Sequence, residues 1–136
     1  MTVLPNIRAE QDRILTRCRA LHYLIETADD KRQQRAKRIL TTGGVLARTV
    51  SGNNITGAVQ SSSGGRYAIR IELSKRRGVW LASSDCTCRD AQNHVCKHAI
   101  ALAAEQLLKF RDRWTELEKA ATVIENFSLQ EAQCCA

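Results

Sequence analysis

Three sulfurs and one imidazole fall within a thirteen-residue stretch of this chain: Cys86, Thr87, Cys88, then seven residues, then Cys96, Lys97 and His98. Zn2+ takes four ligands of these types in a tetrahedron, and a shell filled by four side chains marks a structural site. The set therefore predicts one structural zinc ion held by Cys86, Cys88, Cys96 and His98. A short sheet with few apolar residues gains most from such a tie, because its own core is small.

Spacing adds a local demand. Two ligands one residue apart converge on one ion if the backbone between them turns or arches, and Ser83, Ser84 and Asp85 are expected to form that turn after a strand. Cys96 is expected from the loop entering a helix, with His98 on the first helical turn. A Cys86–Cys88 disulfide would be strained, since bridged Cα atoms prefer a separation of about 5.5–6 Å with demanding torsions. Inert buried thiols would explain two cysteines but not a third beside a histidine. His94 competes with His98 by residue type, yet its neighbours Gln92 and Asn93 place it in a solvated loop. Cys18 reads as a small core residue, and Cys134 and Cys135 as free thiols of the tail.

Residues 1–25 lack an uninterrupted apolar run and carry Arg8, Arg13, Arg17 and Arg19, unlike a secretory signal. No stretch approaches the roughly 20 apolar residues of a membrane span. The expectation is an intracellular chain, cytoplasmic or, in a eukaryote, nuclear, with no membrane partner. Six cysteines in such a compartment read as ligands or free thiols more readily than as disulfides.

The pattern along the chain is helical at both ends and β in the middle. Ile7, Ile14, Leu15, Cys18, Leu21, Leu24 and Ile25 mark one face of a helix over 7–27. Asp29 and Asp30 cap a second helix to about Leu40, with Lys31, Arg32, Arg35 and Arg38 on its exposed face, and Thr41 to Gly44 end it. Val45–Val50 and Ile55–Gln60 flank the turn residues Ser51 to Asn54 as a hairpin. Ser61–Gly65 reads as a flexible loop. Arg66–Leu73 alternates apolar and polar as a half-buried strand, Lys75–Gly78 forms a turn, and Val79–Ala82 a short strand. A helical stripe of Ile100, Ala103, Ala104, Leu107, Leu108, Phe110, Trp114 and Leu117 runs from about Lys97 to Ala120. Core packing explains that stripe; the alternative is a face for a partner or a second copy. Residues 126–136 read as a frayed tail. The fold class is α+β: a small antiparallel sheet with a structural zinc site leading into a helix, flanked by N- and C-terminal helices. The divisions are a helical segment at 1–41, a zinc-binding sheet plus helix at 42–108, and a helical extension with flexible tail at 109–136.

Cys-x-Cys followed by Cys-x-His resembles the SWIM zinc finger, a family found with chromatin-remodelling ATPases, mutator-type transposases and recombination accessory proteins. The resemblance extends to Ala58-Val59-Gln60, to Arg66-Tyr67-x-Ile69-x-Ile71, to Trp80 before the first ligand, and to Cys96-Lys97-His98-Ala99-Ile100-Ala101-Leu102. It spans about Ala36 to Leu108 and departs at Arg89, where many members have proline. It implies a small sheet leading into a zinc-bound helix, and roles in binding DNA or other proteins. The helices at 7–27 and 110–120 lie outside it.

Charge then points to a partner. Residues 31–97 hold thirteen basic and three acidic residues, an excess of +10 within a total of +7, so the positive charge sits on the middle of the chain. Arg66, Arg70, Lys75, Arg76, Arg77, Arg89 and Lys97 are the candidate nucleic-acid contacts, each able to neutralise a phosphate and release counterions. With aromatics at 4%, duplex backbone fits better than a single-strand stacking platform. A plain solvated face is the alternative for these charges. The competing function is a protein-interaction adaptor that docks a partner or forms a homodimer through the terminal helices. No catalytic residues are expected: the ligands leave no open metal position, and Asp85 and Asp90 read as turn residues or as hydrogen-bond partners of His98.

Overall fold

The computed structural model describes residues 3–60 and 64–134, with side chains at 4–60 and 64–126. The order is helix α1 (Val3–Glu26), helix α2 (Asp30–Thr41), strands β1 (Val45–Ser51), β2 (Asn54–Gln60), β3 (Arg66–Arg76) and β4 (Val79–Cys86), a 3-10 turn (Asp90–Gln92), and helix α3 (Lys97–Cys134). The four strands form an antiparallel meander in the order β1-β2-β3-β4. The class is α+β, with helices at both ends.

Helix α2 begins where its cap demands. The Asp29 carboxylate accepts the Arg32 backbone N–H at 2.8 Å, supplying an acceptor that the first helical turn lacks. It ends at Gly43 and Gly44. Gly43 adopts φ +74, a left-handed conformation that a side chain disfavours, and a Cβ on Gly44 would meet Ile39 Cγ2 at 2.7 Å and the Gln60 carbonyl at 2.9 Å. The two glycines let the chain leave the helix and enter β1 without opening the core.

Period-2 alternation sets the sheet's faces. Ile55 and Val59 of β2, and Ile69, Ile71 and Leu73 of β3, are buried against the helices, while Arg66, Arg70 and Glu72 point to solvent. The core joins them to Leu21 and Leu24 of α1, Ala36 and Ile39 of α2, and Ile100 and Leu102 of α3. Gly57 makes close packing possible: a Cβ there would meet Leu102 Cδ1 at 2.6 Å. Gln106, the buried polar residue of α3, accepts a hydrogen bond from the Arg48 guanidinium reaching across from β1.

Helix α3 continues to Cys134 rather than ending near Ala120, because no glycine or proline follows Gly78. Its distal half packs on α1 through a second cluster of Ile7, Ile14 and Leu117, flanked by Phe110, Trp114 and Ile124. Of the predicted stripe, Ile100, Ala103 and Leu117 are buried, Leu107, Phe110 and Trp114 are half-buried, and Leu108 is exposed. Strand β3 also outruns its predicted end: Lys75 and Arg76 pair with Trp80 and Val79, and the tight turn is Arg77-Gly78, at φ +51 and +80. Residues 61–63 of the predicted loop lie outside the described residues, as do Cys135 and the Cys134 side chain. No helix among the described residues is long and apolar enough to cross a membrane.

Candidate metal centre

Strand β4 extends to Cys86, which pairs with Ile69 of β3. Ser83, Ser84 and Asp85 therefore lie in the strand, opposite Glu72, Ile71 and Arg70, and form no turn. Convergence of the first two ligands comes instead from just past the strand end, where the backbone between them leaves the sheet. Thr87 keeps the chain on β3 for one further residue, its N–H donating to the Ala68 carbonyl at 3.2 Å and its hydroxyl accepting the Ala68 N–H at 3.1 Å. Bends at 87–89 then carry Cys88 inward.

The second pair comes from the start of α3. Cys96 immediately precedes the helix, and its sulfur accepts the Ala99 N–H at 3.4 Å, so it caps the helix in the manner of a serine. His98 follows on the first turn, as the sequence indicates. The four ligand atoms of Cys86, Cys88, Cys96 and His98 all lie within 4.8 Å of one another, and Cys86 Sγ is 3.8 Å from His98 Nδ1. Sulfurs at about 2.3 Å from a tetrahedral zinc stand about 3.8 Å apart, so the ligand atoms need only a small inward adjustment to close on an ion. Cys88, Cys96 and His98 are buried and Cys86 is half-buried, as suits a closed structural site. His94 is exposed and outside this group.

The thiols do not share charge equally. Hydrogen bonding from the Cys86 thiol, with help from His98 and the Ala99 N–H, holds Cys96 down to about 4. The same bond to Cys96, with burial, pushes Cys86 well above the usual thiol range, and burial raises Cys88. Ionisation of one sulfur thus works against ionisation of its neighbours. A divalent cation at their centre lets all three ionise and displaces the protons, which is the chemistry of zinc binding.

Two surrounding contacts escape the sequence reading. Tyr67 of β3 lies over the His98 ring, with centroids 4.3 Å apart and planes tilted by 31°. Arg32 of α2, expected on a solvated face, instead forks onto Asp90 in the loop between the ligand pairs, with Nε and Nη2 donating at 2.7 and 2.6 Å, and also contacts Asp29. Asp90 is therefore a brace to α2 and not a partner of His98, while Asp85 is exposed opposite Arg70. The His98 Nε2 is buried with no hydrogen-bond partner among the described residues. Only the i, i+3 spacing of Asp29 and Arg32 hints at the brace in sequence, and Asp90 is 58 positions from Arg32.

The basic candidates do not gather on one surface. Arg66 and Arg70 lie on the open sheet face beside Glu72, which pairs with Arg70 at 3.3 Å. Lys75, Arg76 and Arg77 sit at the β3–β4 hairpin tip, six residues along β3 from the Ile69 position opposite Cys86, or about 20 Å. Arg89 is exposed in the bends after Cys88, and half-buried Lys97 lies at the start of α3 beside Arg35 and Arg38.

Residues 78–106 match the family model of the SWIM zinc finger. The match holds all four ligands, the hairpin strand β4 and the first turns of α3, and is narrower than the resemblance over 36–108. No curated protein and no solved structure matches the chain.

Proposed function

We propose, taking as premise that residues 78–106 form a SWIM zinc finger, that the chain is a non-enzymatic module that binds duplex nucleic acid, DNA above all, through its phosphates. Zinc ties the end of β4 to the start of α3, inside the segment 31–97 whose basic residues exceed its acidic ones by ten. This excess on a metal-ordered scaffold is the observation that carries the reading. Contacts to phosphate fix position on a duplex without reading its sequence, so weak selectivity and strong salt dependence follow. Such a module suits an accessory factor in recombination, transposition or transcription.

The experiment is binding of a labelled duplex by zinc-loaded protein across a salt series. The expected log–log slope is steep, losing about 0.9 for each phosphate contact removed. Absence of salt-dependent binding sinks the reading.

A second reading has its own observation. Ile14 and Leu15 of α1, with Leu107, Leu108, Phe110 and Trp114 of α3, line an apolar groove of about 520 Å³. A protein partner or a second copy docking there would make the chain an adaptor, with or without nucleic acid. Light scattering after size exclusion tests the homodimer: a mass of one chain at all concentrations excludes it.

A further inference from the structure

Lys97 stands between two metal ligands in sequence, and its side chain joins a cluster that the zinc finger alone does not contain. A cavity of about 500 Å³ opens between the end of α2 and the start of α3, and Arg35, Arg38 and Lys97 line it. Arg35 and Arg38 are three residues apart and so share one face of α2. The glycine pair that ends the helix, Gly43 and Gly44, forms part of the wall, with Gln60 of β2 beside it. Nothing stands within 4 Å of where a Gly43 Cβ would be, so there is room beside it for an incoming group, while the Gly43 and Gly44 N–H groups donate to the Leu40 and Ile39 carbonyls.

Three cations converge on this cavity, and among the described residues none has a carboxylate within 4 Å. Arg32, Arg70 and Arg113 are committed to carboxylates, whereas Arg66, Arg76, Arg77 and Arg89 are unpaired among the described residues but spread apart. The positive end of the α3 macrodipole lies at the same place, since Lys97 is the first residue of that helix. Concave shape and three positive charges, of which Arg35 also faces Asp90 without pairing to it, together suit a phosphate, and a cavity of this volume takes a phosphodiester with part of its sugar.

We propose that Arg35, Arg38 and Lys97 form the phosphate pocket that anchors this chain on a nucleic-acid backbone. The proposal rests on the nucleic-acid reading above and moves its main contact from the hairpin tip to the seam between α2 and the zinc centre. Lys97 stands between Cys96 and His98, so an ion held by those two ligands would fix its backbone beside the two arginines. The hairpin cations Lys75, Arg76 and Arg77 line none of the larger cavities among the described residues and act as secondary contacts.

The test compares three zinc-loaded proteins on one labelled duplex by fluorescence anisotropy across salt: wild type, Arg35→Gln/Arg38→Gln, and Lys75→Gln/Arg76→Gln/Arg77→Gln. The pocket variant is expected to lose about tenfold or more in affinity at low salt and about two contacts from the salt slope, and the hairpin variant less despite losing three charges. Arg35→Lys/Arg38→Lys, which keeps the charges, should restore most of the slope and shows that lost charge rather than damaged packing is responsible. With inorganic phosphate as probe, the Gly43 and Gly44 amide resonances should shift in wild type and stay still in the glutamine variant. Wild-type affinity and slope in Arg35→Gln/Arg38→Gln, with the loss appearing in the hairpin variant, overturn the pocket and leave the nucleic-acid reading standing. The same holds if the arginines serve only to offset the thiolate charge, since duplex binding then does not change. No salt-dependent binding by wild type overturns both.

Discussion

Cys96 is the residue on which most of the site's geometry depends. It caps α3 through the Ala99 N–H, stands at the centre of the sulfur hydrogen bonds, and is fully buried. A structural zinc contributes on the order of 10–16 kcal/mol in small zinc peptides, against the ~5–15 kcal/mol that holds a typical domain folded. Cys96→Ser keeps a capping oxygen but loses the soft ligand, so it separates capping from metal binding. The expected outcome is unfolding of at least residues 79–105, seen as lost far-UV dichroism and a missing or much earlier melting transition; a wild-type melt contradicts it. The four ligands were legible from residue type and spacing alone, because zinc's coordination demands leave few ways to combine three thiols and an imidazole. What surrounds them was not. Tyr67 reads in sequence only as the inward residue of a strand, and its place over His98 depends on the register that sets Cys86 opposite Ile69.

At the level of elements, alternation and caps carried the reading furthest. Asp29 capping α2, the β1–β2 hairpin and the wet and buried faces of β3 follow from local chemistry, and the structure has them. The misplaced strand boundaries share one cause: serine and aspartate near Cys86, and the Lys75–Gly78 run, read as turns, but pairing between β3 and β4 overrides that preference. The packing of α1 on α3 is likewise a tertiary matter, set by Ile7, Ile14 and Leu117 and bordered by ion pairs. Arg113 donates to both oxygens of Glu10, at 2.9 and 3.2 Å, and this bond holds the Glu10 carboxyl below the usual carboxylate range. A carboxylate depressed in the folded state stabilises above its unfolded pKa of about 4.3, and that contribution is lost as pH falls through the folded value. Glu10→Gln is therefore expected to lower stability by less than ~1 kcal/mol. The deficit, read from denaturant midpoints, should be constant between about pH 8 and 5.5 and close only below about pH 4. A deficit that varies across the neutral range contradicts the assignment.

Across the whole molecule, one core links α1, α2, the sheet and α3, and the zinc finger is its most constrained part. The finger by itself supplies a hairpin strand and a helix start; α2 adds both the Arg32 brace onto Asp90 and the Arg35–Arg38 face beside Lys97. Net charge was readable from the sequence, but its spatial sorting was not, because neighbours along β3 are spread from the open face to the hairpin tip while Arg38 and Lys97, far apart in sequence, share a cavity. All of this rests on an ion at the junction of β4 and α3. Native mass spectrometry of the purified chain measures that directly. One zinc per chain is expected, leaving together with the folded signal when a strong chelator is added; a chain that carries no metal and keeps its full dichroism and melting transition contradicts the account.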